Sequence, residues 1–147
     1  MYRRILVVED EPTLRRVIAR NLTRRGLMAV EVDSADGALR AVAAERPDLM
    51  LLDINLPDRT GWDVMRELRA RGIEVPTIVV SAVRVSPDRL DEFQPLAYLP
   101  KPFLLEALLR LVLNSPATDP PLSGGETAQT DTLLDLDQPS PTVPVVP

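Results

Sequence analysis

Four groups of residues could act together if the fold gathers them: Glu9-Asp10-Glu11, Asp53, Ser81 and the pair Lys101-Pro102. Asp53 closes the apolar run Leu49-Met50-Leu51-Leu52 and opens the segment Ile54-Asn55-Leu56-Pro57-Asp58-Arg59-Thr60-Gly61. A buried strand that ends in a carboxylate and breaks into a Pro/Gly loop places that acid at the carboxyl edge of a sheet. In open α/β sheets this edge is where ligands bind. The acidic cluster follows another apolar run, Ile5–Val8, and so reaches the same edge. Clustered carboxylates can hold a hard divalent cation, and one of them can attack a phosphoryl group. Lys101 adds a point charge suited to a phosphate oxygen, and Ser81 adds a hydroxyl. The chemistry implied is a metal-assisted phosphoryl acceptor.

Each group also has a plainer explanation. Acids at a helix N-terminus are favoured by the helix dipole, and Glu11, just before Pro12, fits that role better than Glu9 or Asp10. Asp53 could cap a loop, Lys101 could be a solvated lysine, and Ser81 could cap a turn. The phosphoryl reading therefore rests on the constellation, and on elements that deliver its parts to one place.

Those elements alternate strictly. Strand-like runs are Arg4–Val8, Met28–Val32, Leu49–Asp53, Thr77–Ser81 and Ala97–Leu99. Between the first two, Leu14, Val17, Ile18 and Leu22 recur at helical spacing, with Pro12 near the start and Gly26 past the end. Ser34 can cap a second helix that carries Ala38, Leu39 and Val42 and stops before Pro47. A third helix spans about Thr60 to Arg71, burying Trp62, Met65 and Leu68. Ser86-Pro87-Asp88 opens a short fourth helix with Leu90 and Phe93 inward and Pro95 as its stop, and Leu104–Leu113 forms the fifth. Five strands alternating with five helices predict an α/β fold, a doubly wound parallel sheet with helices on both faces. The expected strand order is 2-1-3-4-5, which brings Asp10 and Asp53 to one crevice at the switch point between strands 1 and 3.

Composition narrows the function further. The chain has 147 residues, enough for one domain, and contains neither cysteine nor histidine. Disulfides, thiolate or histidine metal sites and histidine acid/base chemistry are excluded, and a reducing, cytoplasmic setting is expected. The apolar stretches are too short to span a membrane, so no membrane insertion is expected. The net charge of −5 comes from the tail: Asp119, Glu126, Asp131, Asp135 and Asp137 lie in a segment without basic residues. A neutral body with an acidic tail offers no footprint for nucleic acid. Residues 1–115 are expected to form the domain, and residues 116–147, which hold 7 of the 15 prolines, a disordered acidic tail. Within it, Thr132–Asp137 is amphipathic enough to dock elsewhere, although a solvated linker-like tail is the simpler reading.

In order and spacing, residues 1–113 resemble the receiver domains of two-component response regulators. The resemblance is carried by Ile5-Leu6-Val7-Val8-Glu9-Asp10-Glu11, by Asp53 with Pro57 and Gly61, by Ser81-Ala82, and by Tyr98-Leu99-Pro100-Lys101-Pro102-Phe103. It implies a flavodoxin-like fold and a single-domain regulator. Asp53 would be the phosphoacceptor, served by a histidine kinase or a histidine phosphotransfer protein. Mg2+ (or Mn2+) would be held by Asp10, Asp53, the backbone carbonyl of Asn55 and, through water, Glu9. It further implies a cis bond before Pro102 that aims Lys101 into the crevice. In the implied switch the Ser81 hydroxyl and the Tyr98 ring first point away; phosphorylation then draws Ser81 in and Tyr98 into the vacated space. The surface of the fourth helix, fifth strand and fifth helix would change shape and meet an output protein. Such a protein is no enzyme toward external substrates and promotes only its own phosphorylation and dephosphorylation.

The chain departs from the family pattern between Ser81 and Lys101, where it is two residues shorter than is common. Glu92-Phe93-Gln94-Pro95-Leu96-Ala97 replaces the usual approach to the tyrosine, so a short fourth helix with an unusual surface is expected. The fifth helix is more apolar than one buried stripe requires, which predicts a homodimer or partner contact there, unless the tail folds back over it. A tail of this length does not suit a winged-helix output domain. Rival readings are a degenerate receiver used as a docking module and a haloacid-dehalogenase-type hydrolase. The latter family places a second aspartate where this chain has Asn55. A flavin-binding protein of similar fold would want aromatic residues near the strand ends.

Overall fold

The computed structural model describes residues 3–115. The expected disorder of the tail and the Thr132–Asp137 patch lie outside the described residues. The elements are β1 (Arg4–Val8), α1 (Pro12–Arg24), β2 (Met28–Val32), α2 (Ala35–Ala44), β3 (Leu49–Asp53), α3 (Gly61–Ala70), β4 (Thr77–Ser81), α4 (Pro87–Phe93), β5 (Ala97–Pro100) and α5 (Leu105–Leu113). The strands form one parallel sheet in the order β2-β1-β3-β4-β5. This is the expected doubly wound architecture.

Alternation along the strands splits the core between the two faces of the sheet. Ile5, Val7, Leu49, Leu51, Ile78, Val80 and Leu99 meet Ile18 and Leu22 of α1 and Leu108, Leu109 and Val112 of α5. Leu6, Val8, Met50 and Leu52 point the other way, against Ala38, Leu39 and Val42 of α2 and Val64 and Leu68 of α3. The central strand β3 is buried along its whole length, whereas the edge strand β2 is half open. Covered faces on a parallel sheet explain why its strands read as unbroken apolar runs.

Local signals set the helix ends. Ser34 accepts the Gly37 amide at 2.9 Å, and Thr60 with Asp63 forms a capping box at the start of α3. Gly26 and Gly72, with φ of 83° and 74°, end α1 and α3 in the left-handed region. Helix α4 is indeed short, capped by Ser86 and closed by Gln94 at φ 47°. Two expectations about facing residues need correction. Val17 of α1 is 37% exposed, because Ala19 takes the inward position beside Ile18. Val64 of α3 is fully buried, and Met65 is only partly so. On α5 the apolar excess is smaller than expected. Leu108, Leu109 and Val112 are buried, Leu105 and Leu111 pack partly against the core, and only Leu104 and Leu113 stand out.

Candidate active site: a carboxylate crevice with one lysine

Strands β1 and β3 are neighbours in the centre of the sheet, with Val8 level with Leu52. The residues that follow, Glu9-Asp10 and Asp53, therefore emerge side by side. Glu9 and Asp53 are each 3% exposed and Asp10 is open to solvent, and one carboxylate oxygen from each of the three lies within 4.8 Å of the other two. Lys101 reaches in from the end of β5. Its Nζ lies 3.0 Å from Glu9 Oε1 and 3.1 Å from Asp53 Oδ2. The Lys101–Pro102 peptide bond is cis, as the resemblance to receiver domains implies, and the Lys101 amide donates to the Ser81 carbonyl at 2.8 Å.

Two more contacts shape the acidic groups. The Glu11 amide donates to Glu9 Oε2 at 3.1 Å, and the Asn55 amide donates to Asp53 Oδ1 at 3.0 Å. The Asn55 peptide thus lies against the Asp53 carboxylate. Asn55 also bridges to Thr60, which folds the β3–α3 loop back on itself. Gly61 closes this fold: its amide donates to the Ile54 carbonyl at 2.8 Å, and a Cβ there would stand 2.7 Å from the Asp53 carbonyl oxygen. Any side chain at position 61 would displace the backbone of Asp53 itself.

The charges are unevenly compensated. Burial pushes the Glu9 carboxyl above its usual range, assisted by the charge of Asp53 and opposed by the Glu11 amide and Lys101. For Lys101 burial works against the charge, but the hydrogen bonds and charges of Glu9 and Asp53 outweigh it and hold the ammonium above its ordinary value. One lysine serves two buried carboxylates, so it gains from both while Glu9 remains short of positive charge. A hard divalent cation is what such a set of oxygens lacks, and the residues present fit one.

Ser81 and Tyr98 sit apart from this group. The Ser81 hydroxyl is buried at the end of β4 and turned toward its own loop, donating to the Val83 carbonyl at 2.8 Å and accepting the Val83 amide at 3.0 Å. Tyr98 is 7% exposed and packs with Ile54, Trp62, Val79 and Phe93. The Tyr98 ring is thus buried, and the Ser81 hydroxyl is engaged by its own loop. In the same cluster Phe93 of the short α4 stacks on Trp62, with ring centroids 5.1 Å apart.

Some site-supporting residues were not visible as such in the sequence. Asp58 accepts the Ala35 and Asp36 amides at 2.9 and 3.0 Å, tying the loop after Asp53 to the N-terminus of α2. Those amide bonds, Ala35 first, hold its carboxyl below the usual range. Its position in a Pro-Asp turn was the available signal, but the partner helix was not. Arg15 donates to the Glu9 carbonyl at 2.9 Å and pairs with Glu31 of β2 at 3.3 Å, a contact readable only once the strand order is known.

Residues 5–113 match the family described as the response regulator receiver domain. The chain belongs to that family. This receiver is 39% identical over 107 residues to the transcriptional regulatory protein KdpE of Mycobacterium tuberculosis, an alignment covering 71% of this chain and 47% of KdpE. It is 36% identical over 128 residues to the response regulator MprA of Mycolicibacterium vanbaalenii, covering 85% and 55%. The receiver thus spans about half the length of these relatives. Among solved structures it resembles TrrA of Thermotoga maritima in complex with Mg(2+)-BeF, with a TM-score of 0.67 and 28% identity over 76% of this chain and 96% of that one. The chemotaxis response regulator CheY4 of Vibrio cholerae shares the fold, with a TM-score of 0.70 at 22% identity over 77% and 98% of the two chains.

Proposed function

We propose that Asp53 accepts a phosphoryl group from a phosphohistidine on a histidine kinase or phosphotransfer protein. The observation that carries this reading is the buried Asp53 carboxylate, bonded to Lys101 and within 4.8 Å of the Glu9 and Asp10 oxygens. An Asp53 oxygen attacks phosphorus, the P–O bond forms, the P–N bond breaks, and its electron pair returns to the imidazole of the donor. Negative charge must be balanced on the phosphoryl oxygens as this happens. Asp10, Asp53 and the Asn55 carbonyl would hold Mg2+ (or Mn2+), with Glu9 acting through water; the ion would supply charge neutralisation and in-line orientation. The Mg(2+)-BeF complex of TrrA supports carrying that cofactor over to this chain.

Lys101 has a second task in this reading. While it bridges Glu9 and Asp53 it holds two like charges together. Once one carboxylate is engaged, its flexible stem can turn the ammonium to a phosphoryl oxygen. Ser81, one strand away, needs only to exchange its Val83 contacts for the phosphoryl group. That exchange reshapes the segment 82–86 leading into α4, so the α4, β5 and α5 surface is the proposed output face. Leu104 and Leu113, at the two ends of α5, are exposed apolar residues, and a homodimer or an output protein is the proposed partner. Such a cycle runs in the cytoplasm and turns over no external substrate. KdpE bears the name of a transcriptional regulator; for this chain we propose output through protein contacts rather than direct nucleic-acid binding.

The test is transfer from phosphoramidate, a small donor with a P–N bond, followed on a phosphate-affinity gel. A retarded band that needs Mg2+ and vanishes in Asp53→Asn is expected. No band with the wild-type chain contradicts the reading and favours a phosphorylation-independent docking module.

A further inference from the structure

We infer that Arg15 is a positioning residue for the metal-binding carboxylates, acting through the backbone of Glu9. The inference rests on the phosphoacceptor reading above. Glu9 is pinned through the peptide groups on both of its sides, and the second of these it shares with Asp10. The Glu9 amide donates to the Val32 carbonyl at 3.1 Å, and the Glu9 carbonyl accepts from Arg15 Nη1 at 2.9 Å. Arg15 is held in turn by Glu31, whose Oε1 lies 3.3 Å from its Nε. Its side chain is only 15% exposed, so this is a covered strut from α1 across the β1–α1 turn to β2.

Asp10 needs such a strut more than its neighbours do. The Glu9 carboxylate is held by Lys101 and the Glu11 amide, and Asp53 by Lys101 and the Asn55 amide. Asp10 is exposed, and among the described residues no hydrogen bond fixes its carboxylate. Its place is therefore set by the peptide that precedes it. An arginine suits this task because its planar fork presents diverging donors to two acceptors, one on each neighbouring element. A lysine at the same position would keep the charge and lose the fork.

Charge and position make opposite forecasts here. A guanidinium beside a cation site repels the cation, so on Coulomb grounds alone its removal should tighten Mg2+ binding. As a positioning group, its removal should loosen binding. Supporting groups of this kind alter metal affinity by about tenfold or more when lost.

The experiment is calorimetric titration of the full chain with Mg2+, supported by Mn2+ binding read from electron paramagnetic resonance. Wild type, Arg15→Ala and Arg15→Lys are compared, each also melted in chelator. We expect both variants to bind Mg2+ about tenfold more weakly, with Arg15→Lys melting close to wild type without metal. Arg15→Ala binding as tightly as wild type or tighter, or Arg15→Lys matching wild type, would overturn the inference. If Arg15→Ala does not fold, Arg15→Lys decides alone. Failure of the wild-type chain itself to bind either ion overturns the phosphoacceptor reading and this inference with it. Wild-type binding with unaffected variants overturns the inference only.

Discussion

The crevice at the carboxyl edge and the contact between α3 and α4 treat charge in opposite ways. In the crevice, three carboxylates face one ammonium, and two of the three are buried. Between α3 and α4, every cation has a partner. Arg66 and Arg69 lie 5.3 and 5.2 Å from the centre of the Phe93 ring, and Arg89 lies 6.0 Å from that of Trp62. Arg66 and Arg89 also pair with Glu92, and Arg69 donates to the Glu92 carbonyl at 2.9 Å. These ion pairs are half exposed and worth little singly, and each cation–ring contact adds about 0.5–1 kcal/mol. Their sum adds to the burial of Phe93 in fastening this short helix. The contrast teaches where to look for function: one region resolves its electrostatics within the fold, and the other leaves them open to a cation.

Removing the buried anchor of the fastened region should have the largest effect on stability. Phe93→Ala is expected to cost about 3 kcal/mol, since the ring is 5% exposed and stacks on Trp62. Denaturant unfolding checks this, and Mg2+ should not restore the loss.

Breaking the crevice should look different. Lys101→Ala leaves Glu9 and Asp53 buried without their cation, at a cost of about 2–3 kcal/mol, less than for a fully buried pair because the lysine is 21% exposed. Here Mg2+ should restore much of the loss, because the ion supplies the missing charge. The pH dependence has a definite sign. Lys101 is held above its ordinary value of 10.5, so its contribution is complete below 10.5 and disappears as pH rises through the folded-state value. The stability gap between wild type and Lys101→Ala should therefore narrow in strong alkali, as thermal melts across that range would show.

The smallest expected effect lies where the loop after Asp53 meets α2. Asp58→Ala should cost on the order of 1 kcal/mol, as loss of a helix cap does. Asp58 titrates below its ordinary 3.8, so its contribution is complete above 3.8 and lost as pH falls through the lowered value. Melting curves of the two proteins should converge in acid.

Much of this organisation was legible in the residues. Unbroken apolar runs marked strands covered on both faces, and Pro12, Ser34, Thr60 and Ser86 marked helix starts because capping is local chemistry. The expected strand order, which the sheet adopts, brought Asp10 and Asp53 together. Contacts that cross between elements were not legible. Arg15 meets Glu31, and Asp58 meets Ala35, only after the sheet is assembled. The surroundings of Tyr98 include Phe93 stacked on Trp62, a contact between α3 and α4 that local patterns do not carry. The missing residues before Tyr98 were visible, but not what the shortened helix would grip.

The most direct test of the account is intact mass after incubation with acetyl phosphate and Mg2+, with Asp53→Asn and a metal-chelated sample alongside. The account predicts a gain of a single phosphoryl group in the wild-type chain and none in either control. A wild-type chain that gains no mass, or an Asp53→Asn chain that gains as much, would contradict it.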